Sequence, residues 1–553
     1  MIRRRGAIRS VAARSRVLLA CLCVSLAFMA DAQADAIAQG VLQLRWGDAP
    51  RLSQAGVALP EQFEAWLDVG PGQRYQLDDG QARRAAGDLY ALSNRRVAIS
   101  YRLPARVMVG AQVMPSLQVV PEISAIVPAD TLPVRTMAKS EVGGGVTTSQ
   151  VQGSTRWITV MCKFADITAE QKPRSFFQSQ YGNAPGQLGH YWSEVSYGRI
   201  NLAGSAAHGW YSLPRPRAAY LSLVNGRTKV DLSQLFADCT ALADAEVDFQ
   251  GAQGINLMFN AELDGSAWGG GACAVLEGSY QCARATWNPP WSFSNLAPLA
   301  HEMGHGYGLP HSDNSDGDAD TYDNPWDLMS DAWRNAASDV IHGLLPKHLN
   351  MVQRERLGWV APTSKRTIDA DNGATHDVML AWADASPASG IQLLMLAAPT
   401  QPDPYRTIVY TLEARRRTGV YESRLAGDAV VLHVLEDYGI ARSIDTDQPV
   451  ADLSNNEGSM LRVGEVWRTP DERHWIEVVA LTATGFLIRV GPRPRAMSTP
   501  SPVLVRAAQV VSSSAPVTVS VPTARPVERP RAGRCDALTR RLRLSTVCTW
   551  LAR

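Results

Sequence analysis

The stretch His301-Glu302-Met303-Gly304-His305-Gly306-Tyr307-Gly308-Leu309-Pro310-His311 constrains this chain more than any other. Residues four apart on an α-helix project from one face, one turn apart, so His301 and His305 address one point if the segment is helical. Glu302 then stands beside the first histidine and faces the same space. Gly308 lets the helix stop abruptly, because glycine accepts the left-handed conformation that such a stop requires. The chain turns back there and carries His311 toward the other two imidazoles. Three histidines leave one position of a tetrahedral ion for water and substrate, and a carboxylate beside that position can take the water's proton. The spacing therefore predicts a catalytic Zn2+ site with His301, His305 and His311 as ligands and Glu302 as general base. Histidines that merely satisfy core hydrogen bonds would not need the glutamate and glycine in register. A structural zinc site calls for a fourth protein ligand and no base.

This motif resembles that of the metzincin clan of zinc endopeptidases. Trp326-Asp327-Leu328-Met329-Ser330 follows, with Met329 placed 18 residues after His311. The resemblance makes Met329 the methionine of the tight turn beneath the zinc. Within the clan the chain is most similar to the immune inhibitor A-like and gametolysin-like proteases. The stretches that carry this are Tyr191-Trp192-Ser193-Glu194-Val195-Ser196-Tyr197-Gly198, Trp210-Tyr211-Ser212-Leu213-Pro214, Arg356-Leu357-Gly358-Trp359 and Tyr410-Thr411-Leu412-Glu413-Ala414-Arg415. It covers about Trp157 to Val490 and implies an α/β (α+β) catalytic domain with a long zinc-binding helix, followed by a β-sandwich domain. Two departures stand out. Immune inhibitor A-like enzymes often carry aspartate as third ligand where this chain has His311. Asp331 occupies the position at which astacins and serralysins have a tyrosine ligand, which disfavours those two groups.

The 553 residues exceed what one compact core holds. A net charge of +1 provides no global field toward nucleic acid, and no nucleic-acid partner is expected. Arg3, Arg4, Arg5, Arg9, Arg14 and Arg16 precede an apolar run from Val17 to Ala30, followed by small residues at Ala30, Ala32 and Ala34. That order reads as an export signal; the run is short for a membrane anchor, and a lipoprotein reading at Cys21 leaves too little apolar core before it. An extracellular or periplasmic protein is expected, with no membrane span in the mature chain and a monomeric state. Cys162, Cys239, Cys273, Cys282, Cys535 and Cys548 remain after the signal. An even count in an oxidising compartment suggests disulfides, with Cys273–Cys282 and Cys535–Cys548 as local pairs and Cys162–Cys239 left over; buried free thiols are the alternative.

The organisation read from the sequence is a signal over 1–32 and a propeptide or accessory segment with its linker over 33–150. A catalytic domain over 151–362, a β-sandwich over 363–491 and a Pro/Ser/Val/Arg-rich tail over 492–553 follow. The linker contains Gly143-Gly144-Gly145. Strands are predicted at Trp157–Phe164 and Gly254–Asn260, and a helix at Asp231–Val247 from the spacing of Leu232, Leu235, Phe236, Cys239 and Leu242. A helical stretch is predicted after the zinc motif, ending near Arg354-Glu355-Arg356-Leu357-Gly358-Trp359. The segment before the linker holds no cysteine, so a block on the metal must come from a carboxylate or from backbone in the cleft. Glu61, Glu64, Asp68, Asp78 and Asp79 are among the carboxylates available, and nothing singles one out. Asp313, Asp316, Asp318, Asp320 and Asp323 form an acidic loop with partial calcium-loop spacing; Thr321 replaces the glycine an EF-hand needs, so Ca2+ and a solvated loop both stay open. His190, His208, His342 and His348 are weaker candidates for polarising a substrate carbonyl. The function expected is hydrolysis of protein or peptide substrates. The competing class is an adhesin or surface-binding protein retaining a zinc site, against which Glu302 argues, since binding needs no base.

Overall fold

The computed structural model describes residues 36–50, 62–102, 122–131, 151–317, 320–399, 407–435, 439–447 and 458–492. The export signal, the Gly143–Gly145 linker, Cys535 and Cys548 lie outside these.

The first described segment is itself folded. β1 (Ala36–Asp48), β2 (Gln62–Gly70), β3 (Gln73–Leu77), α1 (Asp79–Ala86), β4 (Arg96–Arg102) and β5 (Glu122–Pro128) enclose Leu42, Leu44, Trp46, Leu67, Tyr90 and Ile99. β1 pairs antiparallel with β2 on one side and with β4 along its first half on the other.

From Trp157 onward come β6 (Trp157–Lys163), α2 (Arg174–Gln180), α3 (Leu188–Val195), β7 (Ala206–Ser212), α4 (Leu232–Ala243), β8 (Gly254–Phe259), β9 (Ala267–Leu276), β10 (Ser279–Asn288), α5 (Leu296–Gly306) and α6 (Met351–Arg356). The strands run in the order β7-β6-β8-β10-β9, parallel except for β9. β6 and β8 are buried on both faces, as their unbroken apolar runs require, because helices cover the sheet. One face packs on α4 through Leu235, Phe236 and Cys239, and the other on α3 and α5 through Trp192, Leu299 and Met303. Each such large side chain contributes about 1.5–3 kcal/mol by leaving water. Leu242, counted in the helical spacing of α4, faces solvent instead. Cys162 on β6 and Cys239 on α4 lie at disulfide distance, as do Cys273 and Cys282, which face each other across the β9–β10 hairpin.

The same sheet continues into the first segment. The second half of β1 pairs antiparallel with β9, placing Arg45, Trp46, Gly47 and Asp48 opposite Gly270, Gly269, Trp268 and Ala267. Among the described residues between Tyr307 and Asn350 the chain is loop apart from two short strands, and the predicted helical stretch is confined there to α6. Its backbone is held by Asx-type contacts from Asn314, Asp320, Asn324, Asp327, Asp331 and Asp339, residues that favour turns over helix.

The last part holds two sheets. β11 (Lys365–Asp369), β13 (Leu393–Pro399), β14 (Thr407–Arg415), β15 (Ala429–Leu435) and β16 (Ala441–Ser443) form one; β12 (His376–Ala381), β19 (Gly485–Pro492), β18 (His474–Thr482) and β17 (Val466–Arg468) form the other. Leu394, Leu412 and Leu432 meet Leu380, Ile476 and Ile488 in a shared core between them. All these pairings are antiparallel except β11 with β13.

Candidate metal centre

Small residues on α5 and β9 let the helix lie directly on the sheet. A Cβ at Gly269 would stand 2.7 Å from His305 Cβ, and one at Gly304 would collide with the sulfur of Met329. Gly304 therefore gives Met329 its seat under the helix. The helix ends where expected: Gly308 has φ +92, and Leu309 N donates to Gly304 O. No helix among the described residues is long and apolar enough to cross a membrane.

Two backbone carbonyls, one at this turn and one beside Met329, orient the imidazoles. His301 Nδ1 lies 2.6 Å from Leu328 O, and His305 Nδ1 lies 2.7 Å from Leu309 O. A carbonyl only accepts, so these contacts assign the proton to Nδ1 and leave a lone pair on each neutral Nε2. His305 Nε2 is 3.0 Å from His301 Nε2 and 3.2 Å from His311 Nε2. Lone pairs that close repel unless a cation lies among them. Ligands at about 2.0–2.1 Å from a tetrahedral ion stand roughly 3.3 Å apart, so the set matches a metal site in both chemistry and spacing.

A fourth donor completes the group, and it comes from β1. Asp48 Oδ1 is 2.8 Å from His311 Nε2, while its Oδ2 is 3.2 Å from His305 Nε2 and 3.4 Å from His301 Nε2. Asp48, His301, His305 and His311 are all buried, and their ligand atoms lie within 4.8 Å of one another. Tyr322 donates to Asp48 Oδ1 at 2.6 Å. Trp46, two residues earlier, stacks on His305 at 4.7 Å with the rings nearly parallel.

Glu302 is 1% exposed, and its Oε2 has no hydrogen-bond partner; the same is true of Asp48 Oδ2. Burial, followed by the charge of Asp48, pushes the Glu302 carboxyl well above the usual carboxylate range. For Asp48 burial acts the same way, but His311 and His301 overcome it and hold the carboxyl well below that range. Burial lowers His305 to about 4. Two orphaned carboxylate oxygens beside three converging lone pairs are what a site built around a cation presents.

The surrounding residues explain the motifs flanking the histidines. Asp327 accepts from Met329 N, and Ser312 N donates to Met329 O, which closes the methionine turn. Arg415 on β14 donates to Trp326 O and pairs with Glu413 and Glu422, while Glu413 accepts from Met351 N at the start of α6. The Tyr410–Arg415 stretch thus ties the two-sheet region to the turn. Trp291 and Trp333 lie 6.0 Å apart and, with Pro298 and Ala49, line a cavity of about 20 Å³ next to Glu302, room for one water. A larger cavity of about 560 Å³ is lined by Tyr90, Arg284, Tyr307 and Arg356 and by none of the four converging side chains.

Other candidates lie elsewhere in the network. Asp331 is not among the donors; it accepts from Trp333 N and Arg334 N. His190 contacts Tyr421, His342 contacts Ser179 and Gly186 O, His348 lies between Glu194 and Glu422, and His208 is on β7. In the acidic loop Asp313 pairs with Arg442, Asp323 accepts from Asn314 N, and Asp316 contacts Asn314; Asp320 accepts from Tyr322 N. Asp318 lies outside the described residues. Burial, followed by Asp313, Asp316 and Asp320, pushes Asp323 up to about 8.

Asp48 is not one of the carboxylates named from the sequence. Glu64 pairs with Lys229, Asp68 accepts from Tyr280, Asp78 caps α1 and Asp79 pairs with Arg83, so each has a structural partner; Glu61 lies outside the described residues. Tyr322 was also missed, because a tyrosine within an acidic loop carries no spacing signal. Compared with family models, with curated proteins and with solved structures, the chain matches none of them.

Proposed function

We propose that this chain is an exported zinc-dependent metalloendopeptidase, of the metzincin kind that its motif resembles. The observation that carries the reading is the convergence of three imidazole Nε2 atoms beside the buried, unpartnered carboxylate oxygen of Glu302. A binding or structural site would have no use for that oxygen. His301, His305 and His311 would hold the zinc, which would supply Lewis acidity and bring the pKa of a water in the site toward neutrality.

The chain's own residues do the rest. Glu302 accepts the proton of the attacking water and passes it to the leaving amine. β9 offers main-chain groups to an extended substrate, which binds as an added strand in the register that Arg45 to Asp48 of β1 take in this structure. Trp291, Pro298 and Trp333 wall the space beside Glu302 for a substrate side chain. Tyr322 Oη, which now donates to Asp48, is placed to donate to the substrate oxygen as negative charge develops there. The Leu328 and Leu309 carbonyls hold the imidazoles of His301 and His305 in place and touch no substrate.

The test is casein degradation by the mature protein, with and without 1,10-phenanthroline. Cleavage abolished by chelator and restored by Zn2+ is expected; chelator-insensitive cleavage, or none, would overturn the reading. Tyr322→Phe should lower kcat on the order of 100-fold with little change in KM, as removal of one oxyanion donor does. An unchanged kcat would remove Tyr322 from the mechanism.

A further inference from the structure

We propose that the cavity of about 560 Å³ beside Arg284 is a binding site for a small organic carboxylate, with the carboxylate on the Arg284 guanidinium and an apolar body along the walls. The site is separate from the metal centre, since none of Asp48, His301, His305 and His311 lines it. Charge carries the first part of the argument. Arg284 on β10 is 8% exposed, and no carboxylate among the described residues pairs with it. Its Nη1 donates to Gln253 Oε1 at 3.0 Å and to Gln253 O at 3.3 Å, and its Cζ stands 5.4 Å from the centre of the Tyr307 ring. The other charged side chains around the cavity have opposite partners: Arg356 pairs with Asp88 at 2.9 Å, Arg95 with Asp130 at 3.9 Å, and Glu355 with Lys365. A buried cation without a counter-charge is costly, and an anion entering the cavity offsets that cost.

Geometry carries the second part. With Nη1 turned to Gln253, the edge formed by Nε and Nη2 bonds no described group and stays accessible. The two N–H bonds on that edge run parallel and match the two oxygens of a carboxylate. The cation's neighbour is fixed in place: Trp157 Nε1 donates to Tyr307 Oη at 2.9 Å, and Thr155 Oγ1 lies 3.1 Å from the same oxygen. The cavity is far larger than an inorganic ion needs and falls within the range of clefts that hold small organic ligands. Val352, Leu357, Leu393, Met395 and Leu435 give it apolar walls, which a bare ion would leave in water. It lies where the first segment, the end of α5 and the two-sheet region meet, and such junctions are preferred places for ligands.

The experiment titrates the full chain calorimetrically, near neutral pH and at low salt, as wild type, Arg284→Met, Arg284→Lys and Val352→Phe. Octanoate represents a free acid and N-acetyl-Leu-Leu a peptide C-terminus; octylammonium carries the same chain as octanoate with the opposite charge, and inorganic phosphate is the bare anion. The wild type should bind octanoate or N-acetyl-Leu-Leu at one site per chain, and the tighter of the two identifies the source of the carboxylate. Arg284→Met should weaken that binding at least about tenfold, because it removes the partner of a desolvated charge. Arg284→Lys keeps the charge without the fork and should fall between the two. Val352→Phe narrows the cavity without touching Arg284 and should also weaken binding, which keeps the test valid if a change at Arg284 disturbs the fold. Unchanged affinity in these variants, equal binding of octylammonium, or no binding of either carboxylate would overturn the site. Phosphate binding as tight as that of the carboxylates would overturn the organic class of the ligand.

Discussion

Glu302→Gln is expected to reduce peptide hydrolysis by about 10³-fold without loss of bound zinc. The magnitude follows from what the side chain does. A positioned general base contributes typically 10²–10⁴-fold, and glutamine keeps the shape of glutamate while losing the ability to take a proton. The site makes this substitution unusually clean. Glu302 Oε2 has no hydrogen-bond partner, and the amide occupies the same space as the carboxylate. Neither Nδ1–carbonyl contact that orients His301 and His305 involves Glu302. The comparison should be made on the form of the protein most active on casein, with kcat from a peptide substrate, zinc content and thermal unfolding measured side by side. Retained turnover with unchanged zinc would end the general-base assignment. Loss of zinc would show that Glu302 acts through the ligands instead.

His305→Ala should remove both metal and activity, and it should make the protein's melting temperature indifferent to chelators. His305 is the central member of the group: it is fully buried, its Nε2 faces both other imidazoles, and Trp46 stacks on its outer face. In the Asp48→Ala background, where the three imidazoles are the only donors of the group, alanine leaves two, too few for a tight site, together with a cavity under Trp46. A metal present at 1,000 times its dissociation constant stabilises the folded state by about 4 kcal/mol, and the variant forfeits this. The wild type should therefore lose several degrees of melting temperature on chelation while the variant, already lower, should not move. Stoichiometric zinc in the variant after dialysis would remove His305 from the ligand set.

The parts of the site that were legible in the sequence are those whose geometry is local. His301, Glu302 and His305 share one helix, and helical periodicity alone places them. His311 follows through a turn that needs only Gly308, and Met329 is held by Asp327 two residues away. The strands Trp157–Lys163 and Gly254–Phe259 could likewise be read from unbroken apolar runs. What the sequence by itself determined, then, is a helix that carries His301, Glu302 and His305 on neighbouring positions and a turn that brings His311 back to them.

Tertiary structure alone decided what stands opposite that helix. Asp48 is 263 residues from His311 and reaches it only because β1 pairs with β9 in one register; a shift by one residue would turn Asp48 to the other face. No local pattern distinguishes that aspartate from Asp68 or Asp79, which find Tyr280 and Arg83 instead. Tyr322 and the Glu413–Arg415 brace depend in the same way on loops and strands brought together from far along the chain. Local periodicity follows from the bonding of neighbouring residues. Strand register and loop closure follow from which distant surfaces bury the most apolar area and satisfy the most polar groups at once, and a single sequence does not display that choice.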